Sequence, residues 1–337
     1  MKYALLRAPH PNARYEASLD TLCQAETARL LSAFGVQAGL EYENIGGLKA
    51  LTFCCELNER LQQALYTLSS LYALAGVGPN GELYPLMEGA PARPFYDLPA
   101  ILKYKGKTNE NFTRFLINMA LFSSAAASRF DEPLTLWDPM CGRGTTLFCA
   151  LGRGYHACGG DLDERALKEA SAFFKSYLRT GRFKHEVRRH SQTVGKQAVA
   201  VEEFVTAASP EAYREGRTLT LALAACDGAT FARAFKKRPA DLVVCDLPYG
   251  VQHSGDAGRR GSDLEKTLRR VLPVWREGMK QGGVLALSFN SYTLPRERVR
   301  ELMQEAGLAP FAGGEYDTLC HWVEQAVLRD AAFAVKA

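Results

Sequence analysis

Four short apolar runs that each end in an aspartate constrain the fold of this chain more than any other feature. The runs are residues 134–137, 155–160, 219–225 and 242–245, and the aspartates are Asp138, Asp161, Asp227 and Asp246. Segments with helical spacing alternate with such runs, at residues 145–151, 164–178, 264–280 and 296–306, and further strands are expected at 284–289 and 322–328. This alternation predicts an α/β fold with a doubly wound, mostly parallel sheet. Because ligands of such sheets bind outside the carboxyl ends of the strands, the aspartates are expected to share one site.

The first part of the chain has a pattern of its own. A strand at 3–6, a helix at 18–34, a strand at 48–54 and a helix at 57–74 predict a small α/β domain over residues 1–88. A Gly- and Pro-rich stretch that begins at residue 76 favours a linker at 89–99. The main domain is then expected over 100–337, with an insertion at about 179–218.

Composition excludes several classes of protein. The net charge of +4 permits an anionic partner without demanding one. Nine cysteines without a CxxC pair indicate buried thiols rather than a disulfide framework or a zinc site. The early charge of Lys2 argues against a signal peptide, and no apolar run approaches the roughly 20 residues that span a bilayer. We therefore expect a cytoplasmic protein with no metal and no membrane association.

The loop from Asp138 to Thr146 reads Asp-Pro-Met-Cys-Gly-Arg-Gly-Thr-Thr. Its two glycines allow a ligand to approach the backbone closely, and the helix that follows presents unpaired N–H groups. A nucleoside diphosphate is disfavoured, because the loop lacks the lysine of a P-loop and has Leu147 in place of a third glycine. Asp138 would repel phosphate but pair with an ammonium. Methionine-type cofactors carry both an ammonium and a carboxylate.

The next two aspartates complete the features expected of an adenosyl site. Asp161, about twenty residues further on, suits the two ribose hydroxyls, with Asp163 as a competitor for that role or as a helix N-cap. Asp227 can accept a hydrogen bond from an adenine amino group, with the Gly228 backbone beside it. Each acid alone is more typical of a helix N-cap or a surface acid, but their order at successive strand ends favours an adenosyl cofactor.

The last of the four strands is followed by Asp246-Leu247-Pro248-Tyr249-Gly250. The Asp246 carboxylate and the Leu247 carbonyl can each accept a hydrogen bond from a planar amine, next to the rigid Pro248. The ring of Tyr249 offers a stacking surface. This arrangement points to group transfer onto an exocyclic nitrogen, although turns of the same composition occur without function.

The loop and the tetrad together resemble the class I S-adenosylmethionine-dependent methyltransferases, in the branch with (N/D)PPY-type tetrads. They are most similar to the tRNA guanosine methyltransferases of the THUMP-containing family. The resemblance covers about residues 100–330 and implies a seven-stranded Rossmann-like sheet, a ferredoxin-like N-terminal domain and S-adenosylmethionine as cofactor. It implies catalytic roles for Asp246, Leu247, Pro248 and Tyr249. The implied cofactor-binding residues are Asp138, Met140, Cys141, Gly142, Gly144, Thr145, Asp161, Leu162, Asp227, Gly228, Thr108 and Asn109.

The resemblance also implies a nucleic acid partner, tRNA or another RNA, although the N-terminal region leaves no room for a full THUMP module. The predicted substrate-binding residues are Tyr249, Gly250, His253, Asn290, Arg188 and Arg189. The last two belong to a basic cluster that fits either a solvated face or a phosphate-contacting patch. Three alternatives stay open: a DNA adenine or cytosine amino-methyltransferase, a protein glutamine methyltransferase, and an RNA-binding protein that has lost catalysis.

Overall fold

The computed structural model describes residues 1–91, 93–104, 106–248, 257–324 and 326–337. The N-terminal unit is a five-stranded sheet in the order β2-β3-β1-β4-β5, in which all neighbouring strands are antiparallel. Its elements follow in the order β1-α1-β2-β3-α2-β4-β5, of which the first six have the order of a ferredoxin-like unit. Their bounds are β1 Lys2–Arg7, α1 Ala13–Ala33, β2 Glu41–Ile45, β3 Leu48–Cys54, α2 Glu59–Leu65, β4 Leu71–Val77 and β5 Leu83–Pro85.

The predicted helix over 57–74 is wrong in its second half, because α2 ends at Leu65 and residues from Leu71 form β4. The leucine spacing is compatible both with one long helix and with the observed helix followed by a strand. Between α2 and β4, hydroxyl side chains compete with the backbone for hydrogen bonds, as when the Thr67 hydroxyl donates to the Ala64 carbonyl at 2.6 Å. The strand β2 lies at the sheet edge and is largely polar, so its sequence carries little apolar alternation.

The C-terminal unit carries a ten-stranded sheet within the described part of the chain. Its helices are α3 Leu98–Ile101, α4 Glu110–Phe122, α5 Thr145–Gly152, α6 Glu164–Thr180, α7 Pro210–Arg214, α8 Gly228–Ala234, α9 Ala257–Gly278 and α10 Arg296–Glu305. Its strands are β6 Thr135–Asp138, β7 His156–Asp161, β8 His185–Val194, β9 Gln197–Thr206, β10 Leu219–Ala225, β11 Ala240–Asp246, β12 Met279–Asn290, β13 Ala309–Pro310, β14 His321–Glu324 and β15 Val327–Val335. The strand order is β13-β15-β12-β11-β6-β7-β10-β9-β8, and β14 pairs with β15.

This sheet is mixed, which corrects the prediction of a seven-stranded and mostly parallel one. The central strands β12, β11, β6, β7 and β10 are mutually parallel. Antiparallel strands flank them on both sides. The predicted insertion supplies the hairpin of β8 and β9, which lengthens the sheet by two strands. The predicted strand at 322–328 overlaps two antiparallel strands, β14 and β15, since no Gly or Pro marks the break between them.

The parallel core brings the four aspartates to one edge of the sheet. Cross-strand pairing places Asp138 opposite Gly159, and Asp161 opposite Ala225 at the end of β10. The central strand β11 is buried from Ala240 to Cys245, as expected for a parallel strand covered on both faces. In the described residues no helix is both long and apolar enough to cross a membrane.

One large hydrophobic core spans both units, and each unit has a further cluster of its own. Helix α1 of the N-terminal unit packs on α4 of the C-terminal unit, and the Phe34 ring lies 6.3 Å from the Phe122 ring. At the centre of this contact Glu26 is fully buried. It accepts hydrogen bonds from the Ser69 amide at 3.0 Å, the Ser69 hydroxyl at 2.7 Å and the Asn118 side-chain amide at 2.6 Å.

Replacement of Glu26 tests how strongly this polar contact holds the units together. Glu26→Ala leaves buried donors without an acceptor, so we expect the free energy of unfolding to fall by about 2–4 kcal/mol. Glu26→Gln keeps an acceptor oxygen and should stay within about 1 kcal/mol of the wild type. Guanidinium unfolding at pH 7 measures both values, and equal losses in the two variants would contradict this role.

The same residue should make stability depend on pH. Burial raises the pKa of Glu26 above its ordinary value. Its proton is therefore bound more tightly in the folded chain, so wild-type stability should decline as the pH rises from about 4.3 toward that raised pKa. Glu26→Gln should weaken this decline in unfolding curves recorded between pH 4 and 8.

Candidate active site

The loop between β6 and α5 has the backbone geometry that its glycines permit. Gly142 and Gly144 have φ values of 50° and 85°, in the left-handed region that favours glycine. The loop lies directly on β7, since the Cys141 amide donates to the Gly160 carbonyl at 2.9 Å. A Cβ atom at Gly159 would lie 2.3 Å from the Leu147 side chain. Gly159 thus lets the loop lie close to the sheet, a requirement that the sequence patterns did not reveal.

Three of the four predicted aspartates line one cavity of about 290 Å³. They are Asp138, Asp161 and Asp246, and the glycine loop and Thr108 contribute to the same wall. Asp138 is 2% exposed, and its Oδ1 accepts a hydrogen bond from the Met140 amide at 3.2 Å. Burial raises the pKa of Asp138 to about 7, and the charges of Asp246 and Asp161 act in the same direction. A cation bound here would favour the ionised form, so the cavity suits an ammonium group.

Asp161 connects the loop to the next helix. Its Oδ2 accepts from the Gly142 amide at 2.7 Å and its Oδ1 from the Asp163 amide at 2.8 Å. Asp163 caps α6 by accepting from the amides of Arg165 and Ala166, which confirms its predicted N-cap role. The side chain of Leu162, which lies between these two acids, is 76% exposed. The ribose role of Asp161 stays a prediction.

The carboxylate of Asp246 is held by a residue far away in the sequence. The Thr108 hydroxyl, just before α4, donates to Asp246 Oδ2. The Leu247 amide donates to the Ser288 carbonyl at 2.8 Å and so fixes the end of β11, while the Leu247 side chain is buried in the core. Pro248 follows at the surface. The predicted residues Tyr249, Gly250 and His253 lie outside the described residues.

The segment upstream of α4 forms the opposite wall of the cavity. The hydroxyls of Tyr104 and Thr145 are 2.9 Å apart, and the Arg143 guanidinium lies 4.8 Å from the centre of the Tyr104 ring. Asn109 is the N-cap of α4 and accepts from the Asn111 amide at 2.8 Å. Tyr104 and Arg143 were not predicted as site residues, because their contact joins segments about forty residues apart and leaves no local pattern in the sequence.

Asp227 and Gly228 make structural contacts beside this cavity rather than in its wall. Asp227 is the N-cap of α8 and accepts from the Ala229 amide at 3.0 Å, and Arg270 donates to the same carboxylate at 2.8 Å. The Gly228 carbonyl accepts from the Trp275 ring at 2.8 Å. These contacts agree with the alternative that each acid is a helix cap, and contact of Asp227 with adenine stays a prediction.

The predicted substrate-binding residues that are described lie in two separate places. Asn290 ends β12, and its side chain donates to the Ala326 carbonyl at 2.9 Å and accepts from the Leu328 amide at 3.2 Å. Arg188 and Arg189 lie on β8, where they pair with Glu186 at 2.8 Å and Glu202 at 2.9 Å. The basic cluster is thus partly neutralised by acids of the same hairpin.

Comparison with known proteins assigns this arrangement to a family. The model of the family described as RMKL-like, methyltransferase domain matches residues 119–307. No curated protein matches the chain at a significant level.

Several solved structures are similar. TrmN from Thermus thermophilus has 16% sequence identity and a TM-score of 0.41, over 91% of this chain and 64% of that chain, so this chain spans just under two thirds of its length. The rRNA methyltransferase aviRa from Streptomyces viridochromogenes has 17% identity and a TM-score of 0.41, over 74% of this chain and 94% of that one. The N-methyltransferase NodS from Bradyrhizobium japonicum has 14% identity and a TM-score of 0.38, over 66% and 93%.

Asp138→Asn should weaken ligand binding and, at the same time, raise the stability of the ligand-free protein. Without the charge, an ammonium-bearing ligand loses its partner, so affinity for S-adenosylmethionine should fall at least tenfold, about 1.4 kcal/mol. The raised pKa of Asp138 means that its ionisation destabilises the folded protein progressively above about pH 4, and fully above about pH 7. The ligand-free variant should therefore melt roughly 2–4 °C higher than wild type at pH 8.

Isothermal titration and thermal melts measure these two effects, and Glu164→Gln on the exposed first turn of α6 is the matched control. A variant with unchanged affinity would exclude Asp138 as the ammonium partner.

Proposed function

Because this chain belongs to the RMKL-like methyltransferase domain family, we propose that it methylates an exocyclic amine of a nucleobase in RNA, with guanine in tRNA as the first candidate. The chain is a methyltransferase, and its methyl donor is S-adenosylmethionine. The observation that carries the proposal is the position of Asp246. It lies at the end of β11, is held by Thr108 and lines the same cavity as Asp138.

The residues present fit the methyl donor. Asp138 suits its ammonium group, the glycine loop and the first turn of α5 suit its carboxylate, and Asp161 suits its ribose hydroxyls. When bound, S-adenosylmethionine supplies an electrophilic methyl group on a sulfonium. Asp246 lines the same cavity, so an amine that it holds lies close to that group.

The proposed reaction requires little acid–base catalysis by the protein. A base amine is a weak nucleophile, since its lone pair is delocalised into the ring. Hydrogen bonds from the amine to the Asp246 carboxylate and the Leu247 carbonyl favour a more tetrahedral nitrogen and stabilise the positive charge that develops on it. S-adenosylmethionine held by Asp138, Asp161 and the glycine loop would supply the methyl group to this nitrogen, and the electron pair of the broken S–C bond would stay on the departing thioether. The methylated ammonium then loses one proton, which Asp246 or water accepts.

Two structural features assist these steps by position and by exclusion of water. The Thr108 hydroxyl fixes the orientation of the carboxylate, which brings the reacting groups together with less loss of entropy. The buried Leu247 side chain and the Leu247–Ser288 hydrogen bond hold the carbonyl at a fixed place on the sheet edge. A base within folded RNA has to leave its stack to reach this cavity.

A transfer assay with methyl-labelled S-adenosylmethionine tests the substrate class. Total tRNA, rRNA, DNA and a protein extract are offered in parallel, and the labelled RNA is digested for nucleoside mass spectrometry. We expect label in RNA and an N-methylated guanosine among the products. Label in DNA or in protein glutamine, with none in RNA, would overturn the proposal in favour of one of the alternative amino-methyltransferases.

Asp246→Ala should remove transfer and leave cofactor binding largely intact. The amine loses its acceptor and the developing charge loses its counter-charge, so the turnover number should fall about 10²–10³-fold. Affinity for S-adenosylmethionine, measured by titration calorimetry, should change less than threefold. Glu211→Gln, an exposed acid on α7, is the control variant and should keep full activity. A fully active alanine variant would exclude Asp246 as the group that holds the amine.

The basic hairpin gives a separate prediction. If Arg188 and Arg189 contact phosphate, the double replacement by glutamine should weaken RNA binding and lower the slope of log affinity against log salt by one to two. A titration at several salt concentrations measures both quantities. An unchanged affinity and slope would leave the pairs with Glu186 and Glu202 as the only role of these arginines.

A further inference from the structure

A second and larger cavity lies between the N-terminal unit and β14. Its volume is about 680 Å³, and it is lined on one side by α1 and on the other by residues 318–322. Polar and aromatic side chains from both units contribute to its wall, among them Arg14, Ser18, Thr21, Cys320, His321 and Trp322. None of these residues has a role in the site proposed above.

The imidazole of His321 is an acceptor that the protein does not use. The side chain is 5% exposed, and its Nδ1 lies 2.9 Å from the Leu319 carbonyl, so Nδ1 carries the proton. Nε2 is then an acceptor, and it has no partner among the residues that the structure describes. Burial lowers the pKa of His321 to about 4, which keeps the ring neutral at physiological pH. The His321 ring is therefore a neutral part of the cavity wall, with its Nε2 buried behind the surface.

An exposed aromatic ring, that of Trp322, lines the cavity, and the exposed ring of Tyr292 lies beside it. Trp322 is 50% exposed and Tyr292, just beyond the end of β12, is 54% exposed. Their ring centres are 5.7 Å apart. Aromatic rings of this size are usually buried, and exposed ones next to a cavity serve as stacking surfaces for bases.

This cavity is close to the candidate active site. The sheet register places Asp246 opposite Ser288 on β12, Asn290 opposite Arg329 on β15, and Arg329 opposite His321 on β14. Three strand steps of about 4.8 Å each, with a shift of two residues along β12, put His321 roughly 16 Å from Asp246. His10 of the N-terminal unit also contacts Asn109, the residue after Thr108, at 3.1 Å.

Arg14 contributes a positive charge to the wall of this cavity. The Arg14 guanidinium donates to the Val323 carbonyl at 3.3 Å and thereby bridges α1 and β14. Because Arg14 also lines the cavity, its guanidinium places a positive charge where an anion can bind at the rim.

We propose that this cavity binds an unpaired nucleobase of the RNA substrate, close to the nucleotide that is methylated. The base stacks on Trp322, and Arg14 pairs with a neighbouring phosphate. The inference rests on the proposed function and adds a second contact point to it. The chemistry favours a nucleotide over a peptide, because one exposed flat ring and one cation together match a base and its phosphate.

The tryptophans of the chain allow a direct test. Trp137 and Trp275 are fully buried, so quenching of tryptophan fluorescence reports on Trp322. Titration of the full-length protein with a short single-stranded RNA should give saturable quenching that is lost in Trp322→Phe. Trp322→Ala should raise the KM for RNA about tenfold, the loss of one base stack, without changing affinity for S-adenosylmethionine. Tyr72→Ala, which removes a 71% exposed ring on β4, is the matched control and should leave KM unchanged.

Thiol protection gives a second measurement. Cys320 lines the cavity and is exposed, and Cys54 on β3 is exposed elsewhere. Bound RNA should slow alkylation of Cys320 by iodoacetamide and leave Cys54 unaffected. RNA that is methylated normally yet neither quenches Trp322 nor protects Cys320 would overturn the pocket while the proposed function stands. Quenching and protection by RNA without any methyl transfer to RNA would support the pocket and refute the proposed function.

Discussion

The burial of α4 is the constraint on which the rest of this structure depends. Ten of its 13 residues are buried, and it packs against α1, α5, β11 and β12. The residues just before its first turn contact both units, because Thr108 donates to Asp246 and Asn109 contacts His10. One helix therefore fixes the position of the N-terminal unit and orients the carboxylate at the end of β11.

The second constraint is electrostatic. Parallel pairing of the central strands brings three carboxylates to one small cavity, and burial raises the pKa of Asp138 among them. Such an arrangement lowers the stability of the ligand-free protein and is favourable only when a cation and hydroxyl groups lie between the acids. A methyl donor with an ammonium group, a sulfonium and ribose hydroxyls meets this requirement.

Local sequence patterns predicted the central part of the fold well. The strands at 48–54 and 219–225 were predicted with the bounds that the structure has, since each is rich in apolar residues. Asp138, Asp161 and Asp246 were predicted to share a site because parallel topology fixes where strands end.

The predictions failed where contacts between residues far apart in the sequence determine the structure. The hairpin of β8 and β9 is stabilised by pairing with β10, and Tyr104 meets Thr145 only in the folded chain. Contacts of this kind leave no periodic trace in the sequence.

The shared core of the two units has a consequence for how such a protein can evolve. Modules that fold independently can be exchanged between genes, and new specificities arise by recombination. Here a cut near residue 89 would expose the face of α4 that packs on α1, together with the Asn118 amide that contacts Glu26. The N-terminal unit cannot be replaced without rebuilding this face. Changes in specificity are then confined to surfaces outside the shared core, such as the exposed side chains of β8 at the far edge of the sheet.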